Sequence, residues 1–346
     1  MAAPSYQLFA LGNPLLDIQV NNGEALLKKY DLKSNDAILA EAKHAPLYEE
    51  IVREHKVTYV AGGAAQNAAR AAAYVLPPNS VVYTGCVGDD DLAEQLKKAN
   101  DREGLIHKYL VKKGEKTGAC AVILTGHDRS LVTDLRAAEK FEKSWLSSPE
   151  ISPVIEAARA IYIEGFFLTH GAESVLEITK KASETGKITI INLSAPFIPQ
   201  FFGVQLSQVM PYIDIVIGNE SEAEAWAGAT GQPDKTDLVA IAKAIATLPK
   251  SNPARPRIAV ITHGPKSTNV VSSADPENPK VYAVSALSND QIVDTNGAGD
   301  AFAGAFIGAH IVGKSIDECV EAGHKLGAIC VQQIGPQFKW PKVQIL

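Results

Sequence analysis

The chain is poor in cysteine and has no cluster of positive charge. Its 346 residues include four cysteines that form no CxxC pair, so neither a disulfide scaffold nor a cysteine zinc site is expected. The formal net charge is −6, and nucleic acid is not expected as a partner because duplex binding needs a basic face. We expect the thiols to pack as small core residues. They are Cys86, Cys120, Cys319 and Cys330.

Long apolar runs are also absent from the sequence. No segment reaches the roughly 18 consecutive apolar residues that a membrane-spanning helix needs. The opening sequence MAAPSYQLFALG has no basic stretch leading into an apolar one, as a secretory signal would. We therefore expect no membrane partner and a cytoplasmic protein, with the nucleus as a second compartment.

Short β-rich apolar runs alternate with alanine-rich helical stretches. Each run ends at Gly, Asn or Ser before a helical pattern, which is typical of parallel strands. With 46% hydrophobic residues the chain can bury a large core, which favours one α/β unit, although a two-domain division stays open. Ligands of such sheets bind beyond the carboxyl ends of the strands. The predicted strands are Tyr6–Leu11, Ser80–Cys86, Ala160–Ile163, Ile188–Leu193, Ile213–Ile217 and Ile258–Thr262.

Two intervals break this alternation, roughly residues 18–60 and 117–138. The first contains a short strand-like run at 37–40, and the second contains runs at 119–124 and 129–133. These runs predict the strands of a small second sheet.

A glycine-rich turn joins an extended segment to a helix at residues 294–300. The backbone amides of Gly297, Ala298 and Gly299 carry no bulky side chains, and the N-terminus of the following helix adds partial positive charge. Asp300 opens that helix, where its carboxylate could take a proton from an attacking hydroxyl. An anion-binding turn beside a base indicates phosphoryl transfer. The alternative is a glycine-capped helix with an ordinary acidic first turn.

The segment DTNGAGDAF at 294–302 resembles the C-terminal motif of the ribokinase-like carbohydrate kinases. Other segments resemble the branch of that family that phosphorylates adenosine, and they follow the expected order along nearly the whole chain. They are GNPLLDI at 12–18, AGG at 61–63 with QN at 66–67, GFFLT at 165–169, NLSAPF at 192–197 and NESE at 219–222.

This resemblance implies a fold and a division of the chain. The fold is α/β, a ribokinase-like three-layer sandwich with a mostly parallel central sheet and a small β-rich lid. The large α/β domain would contain residues 1–17, 63–116 and 139–346, the last with the nucleotide and catalytic site. The lid would contain residues 18–62 and 117–138, and it would keep water away from the phosphoryl group.

The resemblance also implies an acceptor site. Asp17 would hold the two ribose hydroxyls with help from Gly63 and Asn67, and Asn13 would lie beside them. Each also has a purely structural interpretation, such as a turn residue for Asp17 or a helix start for Asn67. The further residues implied are Gly62 and Asn296, together with an apolar wall for the base formed by Leu15, Leu39, Cys120, Leu131, Leu135 and Phe167. Contacts cannot be carried over at Ala37 and Ala64, where the family often has glutamine and serine.

On the donor side, the resemblance implies an ATP site with Mg²⁺. Asn219 and Glu222 would approach the ion, mainly through water, because Mg²⁺ keeps much of its hydration. The same two residues would also suit an acidic first helical turn. Arg129 would reach the transferring phosphate from the lid, or else be a solvated arginine. The remaining ATP-binding candidates are Thr262, Gly264, His324 and the 297–299 turn.

The implied activity is ATP-dependent phosphorylation of the 5′-hydroxyl of adenosine, giving AMP and ADP as in purine salvage. Asp300 would be the base, and the chain would act as a monomer. Some family members hold K⁺ near Asp294, which makes K⁺ a second candidate ion. Two alternatives stay open, a kinase for another nucleoside or ribose and an inactive nucleoside-binding regulatory module. A dehydrogenase is disfavoured, since no strand leads into a GxGxxG turn.

Overall fold

A computed structural model describes residues 5–34, 36–126, 128–285 and 287–346. The strands are β1 (Tyr6–Leu11), β2 (Leu15–Asn21), β3 (Ala37–Leu39), β4 (Val57–Gly62), β5 (Val81–Thr84), β6 (Cys86–Gly88), β7 (Ile106–His107), β8 (Leu110–Lys112), β9 (Gly118–Thr125), β10 (Asp128–Asp134), β11 (Ala158–Glu164), β12 (Ile188–Asn192), β13 (Ile215–Asn219), β14 (Ile258–His263), β15 (Ser267–Ser272) and β16 (Lys280–Ala283). The helices are α1 (Glu24–Lys29), α2 (Ala45–Glu54), α3 (Ala64–Val75), α4 (Asp91–Glu103), α5 (Ser152–Ala157), α6 (Leu168–Glu184), α7 (Phe197–Phe201), α8 (Gly203–Val209), α9 (Glu220–Ala229), α10 (Leu238–Ala246), α11 (Ala298–Ile311) and α12 (Ile316–Cys330).

The described residues form a central sheet in the order β16-β15-β14-β13-β12-β11-β1-β5-β7. From β14 to β7 neighbouring strands are parallel, whereas β15 and β16 add an antiparallel edge. Every predicted parallel strand is present in this sheet. The predicted fold class, a mostly parallel sheet with a smaller second sheet, is confirmed.

Alternate residues of the central strands face two different helical layers. Leu8 and Ala10 of β1 pack in one core with α3, α11 and α12, whereas Phe9 and Leu11 pack in another with α6, α9 and α10. A strand buried on both faces needs apolar residues at every position. This burial explains why the strands read as continuous apolar runs rather than as alternating ones.

The small sheet has the order β3-β10-β9-β2-β4, and it contains the strands predicted for the two interrupting intervals. One face of this sheet packs against α1 and α2 through residues such as Ile18, Ala121 and Val132. Because successive side chains alternate between faces, Asp17 and Gln19 lie on the opposite face. We call that opposite face the cleft face. It contacts residues 294–296, in the loop that leads into α11.

The chain enters the small sheet early. After β1 ends at Leu11, residues Gly12–Pro14 turn the chain, and β2 begins at Leu15 and pairs with β4 and β9. The predicted division between residues 17 and 18 therefore falls inside a strand. Asp17 is placed by pairing within the small sheet, not by the end of the first strand.

A two-stranded sheet of β6 and β8 completes the strand pairing in the described ranges. Among the helices described here, none combines the length and the apolar character that crossing a membrane requires.

Candidate active site

The turn before α11 has the backbone that an anion-binding loop requires. Gly297 is the N-terminal cap of α11 with a φ of 77°, a conformation that residues with side chains rarely adopt. A Cβ at Gly297 would lie 2.3 Å from the Cβ of Pro336, so a side chain is excluded by space as well. The first amides of a helix have no partner within the helix. The Ala298 amide donates to the carbonyl of Thr295 at 3.3 Å, and anion binding by the 297–299 amides stays a prediction.

Asp300 lies in the first turn of α11 and forms a hydrogen bond with a residue of α3. Its Oδ2 accepts a hydrogen bond from Asn67 Nδ2 at 3.0 Å. Burial raises the pKa of Asp300 to about 6, opposed by the Asn67 hydrogen bond and by the positive charges of Arg129 and Arg70. A carboxylate with this pKa is ionised at neutral pH and accepts a proton more readily than an exposed one.

Asp17 approaches the same loop from the small sheet. Its Oδ2 accepts from Asn296 Nδ2 at 3.3 Å, and burial raises its pKa to about 7. A Cβ at Gly62 would lie 2.1 Å from Asp17 Oδ1, so glycine is required there for the carboxylate to keep its position. The structure thus brings Asp17, Gly62 and Asn296 together.

Within the set of predicted acceptor residues, two buried polar atoms have no hydrogen-bond partner among the described residues. They are Asn13 Nδ2, a donor, and Asn67 Oδ1, an acceptor. Buried polar atoms normally have partners, and unpaired ones are costly. A ligand with several hydroxyl groups would provide partners for both atoms.

Glu164 and His170 shape this region, and the sequence reasoning missed both. Glu164 Oε1 accepts from the amide of Asn13 and Oε2 from the amide of Ala65, both at 2.6 Å. Burial raises the pKa of Glu164 to about 8 despite these two amides. A carboxylate at the end of the predicted strand, directly before Gly165, is the signal that could have identified it.

His170 lies one turn beyond Phe167 and contacts Asn13. Its Nε2 is 2.9 Å from Asn13 Oδ1, and its ring centroid is 4.7 Å from that of Phe167. Burial lowers the pKa of His170 to about 4, so the ring is neutral at pH 7 and donates its Nε2 proton to Asn13. This assignment leaves Asn13 Nδ2 free for a ligand.

The predicted apolar wall is divided between the two sheets. Three residues lie in register across the small sheet and share its cleft face: Leu39, Cys120 and Asp17. Leu131 lies on the same face of β10, two residues before the residue that pairs with Leu39. Phe167 is fully buried in the core of the large sheet, against Phe141 and His170. Leu15 begins β2, and Leu135 follows β10.

The donor-side candidates lie at the carboxyl ends of β13 and β14, where Asn219 and Thr262 are paired in register. Gly264 follows in the turn to β15 with a φ of 47°. His324 of α12 contacts Phe302 and lies 2.8 Å from Thr268 Oγ1 through Nε2.

Asn219 and Glu222 form a capping box at the start of α9. Asn219 Oδ1 accepts from the amide of Glu222, and Glu222 Oε2 accepts from the amide of Asn219, both at 2.9 Å. Burial raises the pKa of Glu222 to about 7. The described residues contain no group of three His, Cys, Asp or Glu side chains that could enclose a metal. A carboxylate and an amide fit Mg²⁺ held mainly by nucleotide phosphates and water.

Arg129 contacts the loop that leads to Gly297, and Asp294 is the first residue of that loop. Arg129 Nη1 donates to Thr295 Oγ1 at 3.0 Å, and its buried Nε has no partner in the part of the chain that the structure describes. Asp294 Oδ1 accepts from the amide of Asn296, and Oδ2 accepts from Gln19 Nε2 and from the amide of Gly335. The Asp294 carboxylate already stabilises the loop, and K⁺ binding near it stays a prediction.

The family model and the most similar relatives indicate the same family. Residues 24–343 match the model of the pfkB family of carbohydrate kinases. The chain is 66% identical to adenosine kinase of Schizophyllum commune over 99% of both chains, and 44% identical to adenosine kinase of Schizosaccharomyces pombe over 98% of both.

Solved structures agree with these relatives. Anopheles gambiae adenosine kinase, in complex with P1,P4-di(adenosine-5) tetraphosphate, has a TM-score of 0.93 at 39% identity and covers 96% of this chain and 97% of its own. Schistosoma mansoni adenosine kinase, in complex with adenosine and AMP, has a TM-score of 0.90 at 34% identity over 97% and 98%. The chain therefore belongs to the pfkB family of carbohydrate kinases, and within it to the adenosine kinases.

Proposed function

We propose that this chain transfers the γ-phosphoryl group of ATP to the 5′-hydroxyl of adenosine, giving AMP and ADP. The observation that carries this proposal is the meeting of Asp17, Asn67 and Asp300 beside the 297–299 turn. Ribose-binding groups, a base and an anion site are then adjacent, as transfer to a nucleoside hydroxyl requires.

The ribose would be bound by groups from both sheets. Asp17 would accept a hydrogen bond from a ribose hydroxyl, Asn13 Nδ2 would donate one and Asn67 Oδ1 would accept one. His170 and Glu164 would hold Asn13 in place through its side chain and its amide. The base would then lie between the cleft face of the small sheet and the Phe167 side of the large sheet.

Asp300 would take the proton of the 5′-hydroxyl as its oxygen attacks the γ-phosphorus and the bond to the ADP oxygen breaks. The 297–299 amides and Arg129 would stabilise the charge on the phosphoryl oxygens. The transfer is direct and in line, so no covalent enzyme intermediate is needed. The small sheet would act as a lid that excludes water, a competing acceptor.

Mg²⁺ would neutralise charge on the ATP phosphates when bound. Glu222 and Asn219 would approach it through water, because their capping box occupies one side-chain oxygen of each. Thr262, Gly264 and His324 would line the nucleotide site. We further propose that K⁺ binds near the Asp294 loop, and that the chain acts as a cytoplasmic monomer.

A coupled assay with adenosine, inosine, guanosine and ribose as acceptors tests this function. We expect adenosine to have the highest kcat/KM, and the product to carry its phosphate on the 5′-oxygen. Faster turnover of ribose or another nucleoside would assign the chain to a different acceptor. Adenosine binding without turnover would identify an inactive nucleoside-binding module instead.

A further inference from the structure

Gln19 is a buried glutamine on the cleft face of the small sheet that none of the roles above uses. The residue is 3% exposed, and its Nε2 donates to Asp294 Oδ2 at 2.9 Å. Gln19 belongs to β2 of the small sheet, whereas Asp294 belongs to the loop that leads into α11. The hydrogen bond therefore joins the two parts of the molecule that enclose the acceptor site.

Three contacts connect the cleft face with consecutive residues of that loop. Gln19 binds Asp294, Arg129 binds Thr295, and Asp17 binds Asn296. We name these three hydrogen bonds the 294–296 contacts. On the small sheet, Asp17 and Arg129 also have proposed roles toward the substrates. Gln19 has no such role, and its side-chain amide donates only to the loop.

Asp294 transmits the position of Gln19 to the anion-binding turn. Its Oδ1 accepts from the amide of Asn296 at 2.8 Å, which fixes the backbone directly before Gly297. Its Oδ2 also accepts from the amide of Gly335, next to the Pro336 that packs on Gly297. A displaced Asp294 carboxylate would therefore change the backbone on both sides of the turn.

We propose that Gln19 is a positioning residue that couples closure of the small sheet on the nucleoside to the shape of the 297–299 turn. This inference rests on the proposed function. Gln19 lies two residues after Asp17 on one strand and one face, so ribose bound by Asp17 holds Gln19 against Asp294. Bound acceptor would then hold the turn in the geometry that its backbone already has.

Two substitutions separate this role from simple packing. Gln19→Leu removes the amide donor while keeping a side chain of similar size. Gln19→Glu places a second carboxylate within hydrogen-bond distance of Asp294, and such a pair shares one proton at acidic pH and repels at alkaline pH. Asn21→Asp is the matched control, because Asn21 is exposed and lies on the same strand and face.

Other charged and titratable groups surround Asp294 from several elements. Asp17 on β2 and Cys330 on α12 interact with Asp294 itself, and Arg129 on β10, Arg70 on α3 and Asp300 on α11 interact with one another or with these two groups. The unmodified chain contains all of them. The ratio of each variant's kcat to that of the unmodified chain at the same pH therefore removes their contribution.

We expect kcat of Gln19→Leu to fall by about 10-fold to 100-fold at all pH values, with KM for adenosine changed by less than about threefold. For Gln19→Glu, we compare the variant's kcat with that of the unmodified chain at the same pH. This kcat ratio should be about tenfold or more higher at about pH 6 than at about pH 8.5, because the shared proton restores the hydrogen bond at acidic pH. Asn21→Asp should match the unmodified chain. Full activity of Gln19→Leu, an unchanged Gln19→Glu ratio, or an equal loss in Asn21→Asp would overturn the proposal.

Amide hydrogen exchange of residues 294–300 in the ligand-free protein gives a second measurement that needs no activity. Exchange should be faster in Gln19→Leu, and faster in Gln19→Glu at alkaline than at acidic pH relative to the unmodified chain. Unchanged exchange would exclude the positioning role. A chain that fails to phosphorylate adenosine would contradict the proposed function, and this exchange measurement would still decide the role of Gln19.

Discussion

Asp17 and Asp300 are both buried carboxylates, but their partners suit them to different tasks. Asp17 is held by the side-chain amide of Asn296, and Gly62 leaves space beside its other oxygen. Asp300 lies at the N-terminus of α11, next to the amides that would bind a phosphoryl group. The first arrangement favours hydrogen bonds to a neutral polyol, and the second favours proton transfer beside an anion.

The role of Asp17 can be tested with 2′-deoxyadenosine. We predict that the unmodified chain discriminates against this substrate by about 1–3 kcal/mol in kcat/KM, because Asp17 then keeps a buried acceptor without its donor. The Asp17→Ala variant should show a smaller penalty. Measuring both substrates with both proteins forms a closed cycle. Equal discrimination by the two proteins would show that Asp17 does not bind the ribose.

At the residue scale, the sequence could point to side chains within motifs but not to those that act across long distances. Asp17, Asn67 and Asp300 stand in short segments with a glycine turn or a strand end. Glu164 and Gln19 form their contacts with residues far away in sequence, at Asn13 and Asp294. No local pattern encodes such a partner, because the contact exists only after the sheets have formed.

At the scale of elements, the start of α9 has one role that the structure shows and a second one that we propose. The capping box between Asn219 and Glu222 stabilises the helix start by satisfying two backbone amides. The second oxygen of Glu222 is not used in that box. The same short segment is therefore suited both to begin a helix and to approach a hydrated ion.

We predict that Glu222→Gln raises the magnesium concentration needed for half-maximal rate and leaves KM for adenosine nearly unaltered. Glutamine can still accept the Asn219 amide, so the helix start is kept while the charge toward the ion is lost. Glu224→Gln is the control, because Glu224 is exposed on the same helix. A magnesium titration that is the same for both variants would reduce the segment to a helix start.

The elements themselves were largely predictable because their burial leaves a clear pattern. The central strands are apolar throughout, and the interrupting intervals contain the strands that form the small sheet. The boundary at residue 17 was harder to predict, since β2 follows β1 after only a short turn at Gly12–Pro14. Which sheet a strand joins depends on pairing with β4 and β9, which is not a local property.

At the scale of the whole molecule, the buried carboxylates of the site link stability to pH. Burial raises the pKa of Asp17 to about 7 and that of Glu164 to about 8. A carboxyl group with a raised pKa in the folded state stabilises the fold fully below its unfolded pKa, and this stabilisation is lost as pH rises through the folded pKa. The buried carboxylates therefore lower the free energy of unfolding of the ligand-free protein at alkaline pH.

We predict that Asp17→Asn makes the ligand-free protein more stable than the unmodified chain, and that this advantage is larger at pH 8.5 than at pH 5.5 by more than about 1 kcal/mol. Asparagine resembles the protonated carboxyl group and has no charge to bury. Thermal unfolding at both pH values measures the difference. Asp31→Asn is the control, because the Asp31 side chain is 97% exposed. A constant difference at the two pH values would contradict the raised pKa of Asp17.

The alternation of apolar runs and helical stretches predicted a parallel α/β sheet with a small second sheet, and the family resemblance implied the three layers. The way in which the small sheet meets the large one could not be predicted in this way, since it depends on the 294–296 contacts between side chains of different elements. These contacts join the two sides of the proposed acceptor site.

The most direct test of the proposed mechanism is the turnover of Asp300→Asn with adenosine and ATP. Asparagine has nearly the same shape and can stay close to Asn67, but it cannot accept the proton of the 5′-hydroxyl. We predict that kcat falls by roughly 10²-fold to 10⁴-fold while KM for adenosine changes by less than about threefold. Turnover within about threefold of the unmodified chain would contradict the assignment of Asp300 as the base, since general-base catalysis normally contributes far more than that.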